Sequence, residues 1–204
     1  MPTLDKIWKA ATAAGDLIKF GGGFYCGKLT TDASGAKLPT PIYVFNAFFM
    51  SMRAKFVRPG SSLYYFVVEW DAATTPWEAF RGQLLGPTDP TKAPADSLRG
   101  IINSTWKELG LSDPPNITDN GVHASASPFE AMAERLNWLG TPLRSDPFAR
   151  AMLSAGISES YLKTGTVDPQ VNLGGGKKGS LFDALEDLDT APCLAKLTEL
   201  AKLA

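Results

Sequence analysis

Apolar residues recur at helical spacing along several stretches of the chain, and these stretches predict most of its elements. Thr3 is a suitable cap for a helix running to about Ala14. Ile7, Trp8, Ala11 and Ala14 form its buried stripe, and Gly15-Asp16 end it. LIKFGGGFYCG, residues 17–27, then reads as a strand interrupted by three glycines. A bulge or close backbone approach suits that triplet better than a phosphate cradle, because the P-loop lysine and hydroxyl pair are absent. Residues 30–41 are turn-rich, with Pro39 and Pro41. From Ile42 to Val57 the apolar positions Phe45, Phe48, Phe49, Met52 and Phe56 predict a helix with a broad buried face, stopped by Pro59-Gly60. Leu63 to Trp70, LYYFVVEW, is apolar nearly throughout and predicts the strongest strand, a central one.

Further on, Thr75-Pro76-Trp77-Glu78 has the form of a capping box opening a short helix to about Leu84. Gly86 to Pro94 is a proline-bearing loop and Ser97 to Gly100 a short turn. Ile101 to Gly110 reads as a strand passing into a helix, and LSDPPNITDNG as a loop. The best-marked helix follows. Ser127 is its N-cap, Pro128 suits the first helical position and Glu130 completes a capping box, with Phe129, Met132, Ala133 and Leu136 on one face. Ser145 to Ala155 also looks helical, with Phe148 and Met152 inward. KTGTVDPQVNLGGGKKG reads as a loose, glycine-rich linker. Ser180 then caps a helix containing Leu181, Leu185 and Leu188, and Pro192 opens a last one with Leu194, Leu197 and Leu200 on one side. These final helices have too few neighbours in sequence to form a core of their own, so they must pack on the domain or on another chain. The expected division is a domain over 1–157 and a linker with helical extension over 158–204.

Composition narrows the class. With 204 residues, 44% hydrophobic and 20% charged, the chain can bury a sizeable core in one domain with extensions. A net charge of −1 gives no reason to expect nucleic acid as a partner. Cys26 and Cys193 match no metal or redox spacing and read as reduced thiols. No apolar run is long enough to span a bilayer and no secretory signal is visible, so the expected setting is intracellular: the cytoplasm, or an organelle matrix as part of a complex.

The only histidine, His123, stands on the short polar loop directly ahead of the best-marked helix. A neutral imidazole is a nucleophile without prior deprotonation, although a lone loop histidine is more often incidental. Its surroundings carry a resemblance. N-x-x-H-x-S-x-S, from Asn120 to Ser127, followed by Ala131, Glu134 and Trp138, resembles the phosphohistidine loop and following helix of nucleoside diphosphate kinases. Upstream, LLGPTDPTKAPADSLRG is similar to that family's L-G-x-T-x-P stretch and nearby I-R-G. Phe48-Phe49, the Pro59-Gly60 turn and LYYFVVEW resemble its P-F-F helix and central strand. The similarity covers roughly residues 45–139.

The resemblance implies that His123 takes up a γ-phosphoryl group and passes it to a nucleoside diphosphate, with Mg²⁺ bridging the phosphates. Ser125 and Glu134 would orient the imidazole, Thr88 and Arg99 would contact phosphate, Asn120 the ribose, and Phe48 would stack on the base. Core packing accounts equally well for Phe48, and a solvated helix position for Glu134. Arg99 suits its role because a guanidinium binds phosphate oxygens through two charge-assisted bonds.

Several departures stand beside these matches. The family's Lys-Pro-Asp strand is absent. Either Lys19 in LIKFGG supplies the phosphate-contacting lysine, or the opening helix and LIKFGGGFYC are the family's helix and second strand and its first strand is missing. Order and lengths favour the second account. The family's second arginine aligns with Gly82, one place from Arg81, and a one-residue shift on a helix turns a side chain by about 100°.

The expected fold is α+β, a ferredoxin-like antiparallel sheet with helices packed on it, its first strand missing or rearranged, plus a helical C-terminal extension. An unpaired edge in such a sheet invites another chain. Two functions follow. One is phosphotransfer through phospho-His123. The other is a catalytically degenerate kinase-fold subunit of a larger assembly, a homo-oligomer or a complex joined through the sheet edge and C-terminal helices.

Overall fold

The computed structural model of the chain describes residues 2–21, 24–46 and 53–204. It is α+β, with a three-stranded antiparallel sheet, a separate two-stranded one and many helices, including two at the C-terminal end. The chain divides into two compact units, Met1–Val67 and Val68–Ala204. That boundary differs from the expected one near residue 157, because the C-terminal helices share a core with the elements before them.

In the first unit, helix α1 (Pro2–Ala13) precedes a meander of β1 (Leu17–Gly21), β2 (Phe24–Thr31) and β3 (Lys37–Phe45) in the order β1-β2-β3. The interrupted strand of the sequence is therefore a hairpin, Leu17 pairing with Gly27 and Gly21 with Phe24. Gly22 and Gly23 lie outside the described residues, and so does the side chain of the expected cap Thr3. Trp8 and Ala11 turn inward with Cys26 and Leu29. An added Cβ on Gly27 would come within 2.8 Å of the Trp8 ring, so the small residue lets the indole lie on the sheet.

The helix expected from Ile42 is not formed at its start, since 42–45 belong to β3. Ile42 and Val44 are β-branched and prefer a pleated strand to a helix. Pro39 and Pro41, which cannot donate to a ladder, fall within an irregularity: Leu29 pairs with Ile42 but Thr31 pairs with Lys37. Asn46 ends the strand with φ 45°, accepting from the Tyr25 N–H through its side chain at 2.7 Å. Residues 53–57 are helical, and the expected base-stacking Phe48, with Phe49, lies outside the described residues.

The predicted central strand is the clearest correction. Leu63–Trp70 has no ladder partner among the described residues, and Tyr64 and Phe66 are 92% and 85% exposed. Its apolar content favours burial but does not supply a partner edge.

The second unit is helical. Helix α2 begins as an α-helix over Trp77–Ala79 and continues as a π-helix over Phe80–Leu85. Next come α3 (Leu98–Thr105), α4 (Pro128–Leu139), α5 (Pro147–Ser154) and α6 (Glu159–Gly165). Residues expected as a turn and then a strand are thus α3. Ser97 is its cap, accepting the Gly100 N–H at 3.1 Å. The expected linker is in part α6 and in part a hairpin, β4 (Gln170–Gly174) with β5 (Lys177–Ser180). Gly174, Gly175 and Gly176 turn it with φ of 89°, 60° and 77°, a backbone that side chains resist. Helices α7 (Leu181–Leu185) and α8 (Thr190–Lys202) close the unit.

Phe129 and Met132 of α4, Met152 of α5, Leu162 of α6, Leu181 and Leu185 of α7, and Cys193 and Leu197 of α8 are all fully buried in one cluster. Each large apolar side chain contributes about 2 kcal/mol by leaving water. The last helices are therefore integral to this core. Among the described residues, no helix is long and apolar enough to cross a membrane.

Candidate functional site

The site is built around the N-terminus of α4. Ser127 is fully extended (φ −160°, ψ 169°) and its hydroxyl accepts the Glu130 N–H at 3.2 Å, as a capping serine should. The Glu130 carboxylate reaches one residue further back than a capping box requires, to the Ala126 N–H. Phe129 and Met132 anchor the helix from below. The loop ahead of it therefore leaves a fixed element.

On that loop the structure brings His123, Ser125 and Glu134 together. Glu134 lies two turns into α4 and faces back along it. Its Oε1 stands 2.6 Å from His123 Nε2, and its Oε2 accepts the Ser125 hydroxyl at 2.5 Å. One carboxylate thus fixes the imidazole and is itself fixed by the serine. With Nε2 engaged, a neutral imidazole of this geometry carries its lone pair on Nδ1, which makes no hydrogen bond among the described residues. The His123 side chain is 67% exposed, so the ring is accessible from solvent.

The electrostatics agree with that pairing. The hydrogen bond to Glu134 raises the His123 pKa above 6.5, helped by the charges of Glu134 and Glu130 and opposed by partial burial and by Arg81. Burial pulls the Glu134 carboxyl upward, but its bonds from His123 and Ser125 outweigh this, and its pKa is lowered from 4.5. Glu130 moves the other way, raised chiefly by burial. The site accordingly holds two carboxyls of opposed tendency beside one imidazole.

The remaining expected residues of this unit brace the loop. The Arg99 guanidinium donates to the carbonyl oxygens of Gly86 (2.6 Å) and Val122 (3.1 Å), tying the L-G-P-T turn to the residue before His123. Asn120 Nδ2 donates to the Thr88 carbonyl at 3.1 Å, joining the same two segments. Arg99 is held where it is because Gly100 packs on the Pro94 carbonyl, against which any Cβ would collide. Its Nε is buried without a hydrogen-bond partner, and burial lowers the guanidinium pKa. Lys19 lies in β1 of the first unit, opposite Tyr25 in the ladder, with its ammonium 5.6 Å from the centre of that ring.

Other members of the site carry no local signal in the sequence. Trp77 donates its indole N–H to the Ser125 carbonyl at 2.9 Å, and the Asp187 N–H donates to the Ala126 carbonyl at 2.9 Å. The expected capping box at Thr75 is not made. Pro76 occupies the cap position, and the Trp77 N–H is accepted by Asp189 Oδ1 at 2.8 Å. Trp70 stacks on Phe80 at 4.3 Å and tilts against Trp77 at 4.8 Å, completing an aromatic wall.

Arg81 sits where α2 becomes a π-helix. Its guanidinium binds Glu186 Oε1 at 2.9 Å and Asp187 Oδ1 at 2.5 Å. Burial works against its charge, but these two carboxylates prevail and raise its pKa.

Comparison with protein-family models, with curated proteins and with solved structures gives no match to this chain.

Proposed function

We propose that the chain is a nucleoside-diphosphate-kinase-like phosphotransferase working through His123. The observation that carries this reading is the single carboxylate of Glu134 engaging both His123 Nε2 and the Ser125 hydroxyl, which directs the nucleophilic lone pair to Nδ1. In the reading, Nδ1 attacks the γ-phosphorus of a nucleoside triphosphate. A P–N bond forms, the bond to the bridging oxygen breaks and the nucleoside diphosphate leaves. An oxygen of a second diphosphate's terminal phosphate then attacks the phosphoimidazole and restores His123. Thr88, Arg99 and Asn120 stand around the same loop as candidates for holding phosphate and ribose, with Arg81 as a further cation.

Mg²⁺ would arrive with the nucleotide and neutralise its phosphate oxygens. Such ions are typically held by substrate phosphates and water more than by a protein cage. An intracellular setting, cytoplasmic or in an organelle matrix, goes with the reading, and both thiols are free and buried.

The test is incubation with γ-labelled ATP. Label that is acid-labile and alkali-stable, and absent from His123→Ala, is the expected result. No label at high protein concentration ends the reading.

One observation favours a second reading, that of a degenerate kinase-fold subunit of an assembly. The run 63–68 is apolar and exposed at every position. An exposed apolar run is a segment that another chain's sheet can take up. Under this reading Tyr64→Ser with Phe66→Ser changes the mass measured by light scattering, and an unchanged mass counts against it.

A further inference from the structure

We infer that Glu186 and Asp187 act as an internal anion for Arg81, occupying the guanidinium that an incoming polyphosphate must capture. The inference rests on the phosphate-handling reading above, and its two carboxylates lie outside the resemblance. Both carboxylates bind the same Arg81 Nη1, at 2.9 and 2.5 Å. Asp187 is also fixed through its backbone to Ala126, the residue after Ser125. Arg81 is thereby held beside the histidine loop, near enough for its charge to act on His123, Glu130 and Arg99.

Two features make this contact replaceable rather than purely structural. The carboxylates are accessible, with Glu186 and Asp187 side chains 48% and 39% exposed, and ion pairs at such exposure bind weakly enough for a multivalent anion to displace them. Carboxylate and phosphate oxygens accept from a guanidinium in the same way, so the two compete for the same donors. Two carboxylates about one guanidinium also leave a net negative charge, and that charge repels a polyanion until it is displaced. Asp187 is held in a left-handed conformation, φ 60°, so its carboxylate direction is set by the backbone of the turn between α7 and α8.

The experiment titrates the full chain with inorganic tripolyphosphate, which has no base or ribose to bind. Glu186→Gln with Asp187→Asn keeps shape and hydrogen bonding, and asparagine tolerates the left-handed backbone. The double variant is expected to bind tripolyphosphate about five- to thirty-fold more tightly than the unaltered protein, since two exposed ion pairs are released. The gain should vanish when Arg81→Met is added. Equal affinity, or a gain that survives Arg81→Met, overturns the inference. Should circular dichroism show the double variant unfolded, Glu186→Gln alone must bind about two- to five-fold more tightly. Its failure to do so is equally decisive. His123 labelling run in parallel separates the two ideas. Label absent throughout, with the tripolyphosphate gain intact, defeats phosphotransfer and leaves the internal anion standing.

Discussion

Asp189 Oδ1 accepts the backbone N–H of Trp77 at 2.8 Å, so helix α2 is capped by a residue 112 positions later in the chain. The same aspartate opens α8 but makes no side-chain bond to that helix's own N–H groups. Its carboxylate is given to the distant helix. Asp189→Ala should lower stability by about 1 kcal/mol, the usual worth of a cap, or roughly 2–4 °C in Tm. Thr75→Ala, at the expected local cap, should change neither. Thermal unfolding by circular dichroism compares the two.

A larger loss is expected at Asp146. Its side chain is fully buried, its Oδ1 accepts the Phe148 and Ala149 N–H groups at 2.9 Å, and its Oδ2 accepts Arg135 Nε at 2.7 Å. Asp146→Ala strands a part-buried guanidinium and uncaps α5 together. The cost should be about 3–5 kcal/mol, measured by urea unfolding. A loss under about 1 kcal/mol would mean that the surroundings relax to replace both bonds.

Glu134→Gln bears on pH. His123 has a raised pKa when folded, so its share of the pairing is complete below the unfolded value near 6.5 and is lost as pH rises through the folded one. Glu134 has a lowered pKa, so its share is present above 4.5 and is lost as pH falls through the folded value. The pair therefore stabilises most between those limits. If His123 takes up phosphoryl as proposed, uptake needs the neutral ring and should rise with pH through a midpoint above 6.5. Glu134→Gln removes the largest cause of the shift, so the midpoint should move down. The plateau rate should fall by about 10²-fold as the ring loses its orientation. A midpoint that does not move in a pH profile of labelling rules out this account.

Gly100→Ala tests the support beneath Arg99. A Cβ there collides with the Pro94 carbonyl, so α3 must shift and carry Arg99 with it. A cost of about 1–3 kcal/mol is expected, with weakened nucleotide binding by calorimetry. Gly82→Ala, with open space around its Cβ position, should be near neutral.

How much of this was legible follows from the range of each interaction. Helix α4 could be read because its signals are local: Ser127, Pro128 and Glu130 announce its start, and Phe129, Met132 and Ala133 mark its buried face. The grouping of His123, Ser125 and Glu134 came from the resemblance, and its outer members stand only eleven positions apart. The cap of α2 could not be read, because nothing near Trp77 points to Asp189. The π turn over Phe80–Leu85 could not be read either, because it is invisible to a pattern written for 3.6 residues per turn. Phe45 fell at helical spacing with the aromatics after it, yet Ile42 and Val44 beside it carry the strand. The three glycines at 174–176 read as slack, whereas each takes a left-handed backbone in a tight hairpin.

The bonds from Asp187 to Ala126 and from Asp189 to Trp77 also set an order of events during synthesis. While the ribosome is still adding α6 and the hairpin, the histidine loop lacks two of its fastenings, and Arg81 lacks the carboxylates that steady it. A nascent chain halted before residue 186 would carry the imidazole without its finished surroundings. In the phosphotransfer reading, the ring meets its finished surroundings only when this stretch has been made.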